Sequence, residues 1–243
     1  MALDIALVGT VPLGTTANVF RTVGKTLGNR IRRIPDGETG PRAYWVTSQA
    51  VVIDRHPAFR RVGHDWDPAS GTVPETGPGK WGLKPGIDPQ SVVIPTFGYP
   101  AAARESYAEF VALRDQGVLP KSARFQVSLP TPIAFIGALV TPDEQAMLAP
   151  AFEDCMRREL EAVLASIPHD DLAIQWDVCV EIFMLEGLRK PWFADAMGGI
   201  VERLVTLGAA VPAAVDLGYH FCYGDFRHKH IDIHGLSPQR DFG

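Results

Sequence analysis

Cysteine is scarce in this chain. Three thiols, Cys155, Cys179 and Cys222, are spread over 243 residues, and a small odd number far apart excludes the dense disulfide framework of small secreted domains. A reducing compartment fits, and it keeps a thiol available to a metal. Long apolar runs are missing too. No uninterrupted apolar segment reaches about 18 residues, so no membrane-spanning helix is expected. Met1 to Val11 contains Asp4 and has no basic head followed by a long apolar stretch, so no secretory leader is read there. Positive charge is not concentrated either. Basic residues adjoin only at Arg32-Arg33, Arg60-Arg61 and Arg157-Arg158, and the net charge is −5, which argues against nucleic acid or anionic membrane as a partner. A cytoplasmic protein of one domain, residues 1 to 243, is expected, since about 250 residues is the usual size of a single α/β barrel.

What is present is an alternation of short apolar runs and helical patterns. Ile5 to Pro12 is an apolar run stopped by Gly and Pro, followed by Thr15 or Thr16 as a cap and a helical stripe through Val19, Phe20, Val23 and Leu27. A second short run, Ile31 to Ile34, leads into the charged turn Pro35 to Arg42, and a helix-like segment from about Ala43 to Ile53 follows. From about His64 to Pro100, Pro and Gly recur every few residues, which forbids a long regular helix or central strand. Trp66 and Trp81 in this excursion either cover a site or pin the loop to the fold. Ala123 to Leu129 reads as strand, Asp143 to Ile167 as the clearest helix, Leu172 to Glu181 as strand, Phe193 to Leu207 as helix, and a last strand begins near Asp216. Five strands, near residues 5, 31, 124, 172 and 216, alternating with helices imply parallel strands and an α/β fold.

Several of these segments carry chemistry. Alternation sends His220 and Cys222 to one face, an imidazole and a thiol of the kind zinc takes; the plainer alternative is two buried core residues. Asp177 lies inside the apolar run Leu172 to Glu181, where an unpaired buried charge is costly, so it needs a partner. If the strand continues, Glu181 shares a face with Asp177 and Cys179. Glu38 and Arg42 occupy a Gly-rich turn of the sort that delivers functional groups, or they form an ordinary surface pair. Gln126 and Ser128 share a face where Pro130 and Pro132 end a strand, and a structural role suits them better than a catalytic one. Cys155 falls on the apolar stripe of its helix and is read as core. In the closing stretch, His228 and His230 are further nitrogen donors, unless that polar tail is simply solvated.

Read with its flanks, Tyr219-His220-Phe221-Cys222-Tyr223-Gly224-Asp225-Phe226 resembles the zinc-ligand strand of cobalamin-independent methionine synthases and the smaller proteins related to them. Those proteins share a (β/α)8 TIM-barrel architecture with uroporphyrinogen decarboxylase. Ser128-Leu129-Pro130-Thr131-Pro132 resembles the Ser-Leu-Pro-x-Pro of the family's barrel, and Ile174-Gln175-Trp176-Asp177 its Ile-Gln-Ile-Asp strand. The resemblance implies zinc held by His220 and Cys222, a thiol substrate activated for methyl or alkyl transfer, and a folate-type methyl donor. It implies that Glu38 and Asp177 hold the amino group of an amino-acid substrate, with Arg42 nearby and Ser128 lining the pocket.

The sequence also departs from that family. The Glu-Pro that follows the strand Asp is Val178-Cys179 here, with Glu181 as a replacement acid, and neither Glu nor Cys occurs after Cys222 to complete the zinc site. Five βα units are legible where the family has eight, so the expectation is a shortened barrel whose open sheet edges are covered by self-association. Two further readings stay open: a catalytically silent barrel serving as a binding module, and a metal-free decarboxylase-like protein.

Overall fold

A computed structural model describes residues 5–70, 72–74 and 77–223. Helix α1 (Thr16–Leu27) starts where the Thr15 side chain accepts a hydrogen bond from the Asn18 amide, and it buries Val19, Phe20 and Val23 from the expected stripe. Strand β1 (Arg33–Pro35) follows. The helix expected over about 43 to 53 is instead a run of 3-10 turns, Gly40–Gln49, then a short helix α2 (Ala50–Arg55). The break falls at Trp45, whose φ of 49° is left-handed and strained for a bulky residue. Its indole lies near Asp177 and favours the charged form of that carboxyl.

The Pro/Gly-rich excursion contains an antiparallel hairpin, β2 (Phe59–Val62) and β3 (Lys80–Leu83). Trp81 in β3 is fully buried, and the ring of Trp66 packs edge-on 6.1 Å from it. The indole of Trp81 donates to Asp54 at 3.0 Å and its carbonyl accepts from the Thr141 amide at 3.0 Å. These tryptophans therefore pin the loop to the fold.

The second half alternates regularly: α3 (Tyr99–Asp115), β4 (Arg124–Pro130), α4 (Pro132–Leu139), α5 (Gln145–Ser166), β5 (Leu172–Val178), α6 (Val180–Leu185), α7 (Ala196–Ala209) and β6 (Asp216–Phe221). Four strands form one parallel sheet in the order β1-β4-β5-β6. The segment near residue 5, expected as a fifth strand, is extended and touches the sheet at two parallel bridges, Ile5 with Ile31 and Thr10 with Gly37. Between these bridges its carbonyls turn to side chains rather than to a ladder. Val8 O accepts from Gln126 Nε2 at 2.9 Å, Ser128 Oγ at 2.8 Å and Gln175 Nε2 at 2.5 Å.

The sheet thus has two unlike faces. Alternation sends Phe125, Val127, Leu129, Ile174 and Trp176 to the helix side, where Phe125 meets the rings of Phe20 and Phe110. Burying side chains of this size is worth about 1.5–3 kcal/mol each, and Cys155 of α5 is fully buried among them, as expected. The opposite face carries Gln126, Ser128, Gln175 and Asp177, all buried yet polar, and such groups are stable only when hydrogen-bonded. Gln126 and Ser128 are bonded to each other at 3.1 Å and to the 7–8 backbone. The fold is α/β with a mainly parallel sheet, and among the described residues no helix is long and apolar enough to cross a membrane.

Candidate functional site

Parallel strands deliver their carboxyl ends to one side of a sheet, and loops there carry function in α/β folds. Here that side gathers Glu38 after β1, Thr131 after β4, Asp177 and Cys179 at the end of β5, and His220 and Cys222 at the end of β6.

The register of β5 and β6 sets the geometry. Asp177 lies opposite His220, and Val178 opposite Phe221. The Cys222 amide continues the ladder by donating to Val178 O at 2.9 Å, so Cys179 comes level with Cys222, and the two thiols share a hydrogen bond. An acid beside an imidazole is followed by a thiol beside a thiol. That hydrogen bond, burial and the neighbouring negative charges push the Cys179 thiol well above its ordinary range.

Asp177 accepts from Gln175 Nε2 at 2.9 Å and from the Trp45 indole. Burial lifts its carboxyl to about 8 despite these bonds, and the charges of Glu38 and Cys222 add to the shift. Glu38 is raised as well, chiefly by burial and also by Asp36, while the Thr10 hydroxyl bonded to it and Arg42 act in the opposite sense. Glu38 holds a left-handed φ of 47°, a strained backbone of the kind found at functional sites. Burial pushes the Tyr99 hydroxyl well up, and the nearby charges of Glu38 and Asp177 add to it.

Arg42 is committed elsewhere. Its Nη2 donates to Asp36 Oδ2 at 2.6 Å, and Asp36 also accepts from the Glu38 amide at 2.9 Å and Ser106 Oγ at 2.7 Å. This knot shapes the 36–42 turn and presents Glu38. The space enclosed by Asp36, Glu38, Arg42, Tyr99 and Ser128 is only about 10 Å3, room for one water.

Glu181 departs from its expected place. The strand stops at Val178 and the chain turns at Cys179, so Glu181 stands in the first turn of α6 rather than beside Asp177 on the strand. The alternation fails because three residues beyond the strand end are already helical. Its carboxyl is fully buried, accepts from Thr131 Oγ1, and is raised to about 7 by burial. His228 and His230 lie outside the described residues.

The structure therefore brings together Glu38, Asp177, His220 and Cys222, sets Arg42, Ser128 and Glu181 in neighbouring hydrogen-bond networks, and adds Cys179, Trp45 and Tyr99. Cys179 had a visible signal: Asp177-Val178-Cys179 and His220-Phe221-Cys222 repeat one spacing at two strand ends. Among the described residues, no group of three or more His, Cys, Asp or Glu is arranged to hold a metal ion. The donor types, two thiols and an imidazole, are nevertheless those a borderline-soft dication takes. Comparison with protein-family models, with curated proteins and with solved structures finds no match to this chain.

Proposed function

We propose that the chain is a protein of the cobalamin-independent methionine synthase type, with a barrel-like curl of its sheet and a zinc-dependent alkyl transfer to a thiol at the strand ends. One observation carries this reading: the in-register block of Asp177, His220, Cys179 and Cys222, at the side of a parallel sheet where catalytic groups stand. The raised carboxyl of Asp177 and the raised thiol of Cys179 are what acids and thiols show when crowded without a counter-charge.

Zinc would be held by Cys222 and His220, as the sequence implies, with Cys179 as the second sulfur. Bound there, it supplies a Lewis acid that keeps a substrate thiol deprotonated at neutral pH. The rest is the work of the chain itself. Asp177 and Glu38, fixed by Gln175, Trp45 and Thr10, orient a cationic group of the substrate. Ser128 and the 130–132 turn shape the floor. A folate-type compound is the proposed methyl donor and a small thiol the acceptor. Purified protein is expected to carry one zinc per chain, lost in His220→Ala and in Cys222→Ser; no zinc in wild type would remove the mechanism.

A second reading draws on two observations, the want of a three-ligand group among the described residues and the single-water space beside Glu38. It is a silent binding module without stoichiometric metal. In either case self-association is proposed through β6, which has no neighbour on its outer side among the described residues.

A further inference from the structure

β5 and β6 keep their parallel register to their ends, where Val178 stands opposite Phe221. One step further, the Cys222 amide still donates to Val178 O at 2.9 Å, which holds Cys179 and Cys222 as the next cross-strand pair. Neighbouring strands lie about 4.7–4.9 Å apart, and a disulfide joins residues whose Cα atoms are about 4.4–6.8 Å apart. The backbone spacing therefore suits a bond between the two sulfurs. The side chains agree with it, since the two thiols face each other closely enough to share a hydrogen bond.

Both cysteines are in the thiol form and only partly buried, so a small solute reaches them, whereas Cys155 is fully enclosed. Each lies one residue past its strand, β5 ending at Val178 and β6 at Phe221. Closing a sulfur–sulfur bond there leaves the sheet ladder intact. The chain between them includes α6 and α7, so it is the fold that brings the two sulfurs together.

We propose that Cys179 and Cys222 form a reversible disulfide across the ends of β5 and β6, with a small-molecule disulfide such as oxidised glutathione as the oxidant. One cysteine, as thiolate, attacks a sulfur of the oxidant; a protein–glutathione disulfide forms and one glutathione leaves, taking up the proton. The second cysteine then attacks the protein sulfur, the new S–S bond closes and a second reduced glutathione is released. Two protein thiols are oxidised and one small disulfide is reduced, so hydrogens and electrons balance. In a reducing compartment such a bond is transient and senses the redox state. On the zinc reading of these strand ends, the bond would withdraw both sulfurs from the ion and silence the transfer.

The test takes the full chain, reduced and freed of metal by a chelator, so that a failure of the zinc reading leaves its outcome untouched. After equilibration in mixtures of reduced and oxidised glutathione, the remaining thiols are alkylated under denaturing conditions and the peptides mapped by mass spectrometry. Wild type is expected to lose two thiol hydrogens, keep no glutathione and yield a linked Cys179–Cys222 peptide, with Cys155 alkylated throughout. Cys179→Ser and Cys222→Ser should each stop at the mixed disulfide on the cysteine that is left. At a fixed level of reduced glutathione, wild type should be half-converted at about tenfold less oxidised glutathione than either variant, because its second step is intramolecular. Glutathione retained on wild type, a link to Cys155 or between chains, equal demand for oxidant by wild type and variants, or no oxidation at all would overturn the proposal.

Discussion

Asp177 keeps its proton at a pH where a free aspartic acid has long given it up, because burial penalises the charge more than Gln175 and Trp45 stabilise it. The sign for stability follows directly. A carboxyl raised in the folded state binds more protons than in the unfolded chain, so its contribution is full below about pH 4 and is lost as pH rises toward about 8. Glu38 and Glu181 are raised too and act in the same sense. Asp54 and Asp171, lowered by their bonds to Arg61 and Arg114, act in the opposite sense only at lower pH. Thermal melting is therefore expected to fall between pH 5 and pH 8. Asp177→Asn should flatten that fall and raise the melting temperature at pH 8; an unchanged slope would show that the buried carboxyl is not its source.

At the same scale, chemistry was more legible in the sequence than geometry. Asp177 announced itself as a charge in an apolar run and His220 with Cys222 by alternation. Cys179 showed only in a repeated spacing, because its pairing with Cys222 depends on the register of two strands about forty residues apart, and register is set by tertiary packing. Glu181 was misplaced because period-2 reasoning has no signal for where a strand hands over to a helix.

Among the elements, α3 depends on a residue far from it in sequence. Glu159 of α5 is buried and accepts from the Phe97 amide at 3.0 Å and the Tyr99 amide at 2.8 Å, so its charge sits at the helix start, where amides lack partners. Glu159→Ala leaves two buried donors unmet and should cost about 2–4 kcal/mol in denaturant unfolding; a loss under about 0.5 kcal/mol would mean that water replaces the carboxylate. Helix α4 is closed in a similar way. Lys80 Nζ donates to Gly137 O and Ala138 O, both at 2.7 Å, and Arg189 Nη1 to Gly137 O at 2.5 Å, placing two cations at its carboxyl end. Burial, with Arg189 beside it, brings Lys80 down to about 8. Lys80→Met should destabilise by about 1–2 kcal/mol at pH 7 and by more at pH 9, because the unfolded chain still binds the proton that folded Lys80 has released, so the wild type alone gains stability as pH rises past about 8.

Elements with a long unbroken period were readable from the sequence: α1, α5 and the three strands β4, β5 and β6 lie where the pattern put them. The 40–55 region was not, since the chain breaks at Trp45 on a positive φ that no periodicity signals. Nor was the β2–β3 hairpin, whose short strands sit inside a stretch dominated by Pro and Gly.

For the whole molecule, the sheet is asymmetric. β1 is flanked by the 5–10 segment, whereas β6 among the described residues has a free outer side with Leu217, Phe221 and Tyr223 exposed and α7 adding Met197, Val201 and Val205. An apolar edge of this kind favours pairing with a second chain. Size-exclusion chromatography with light scattering is expected to show a dimer or larger species, and Phe221→Lys should shift it toward monomer. A monodisperse wild-type monomer would refute the edge-pairing account.

The claim on which the function rests is that the ends of β5 and β6 form one soft-cation site. Native mass spectrometry of wild type and Cys179→Ser, after incubation with one equivalent of zinc, tests it most directly. One zinc retained per wild-type chain and none by Cys179→Ser is the expected result. Equal zinc retention by both proteins, or none by either, would contradict it.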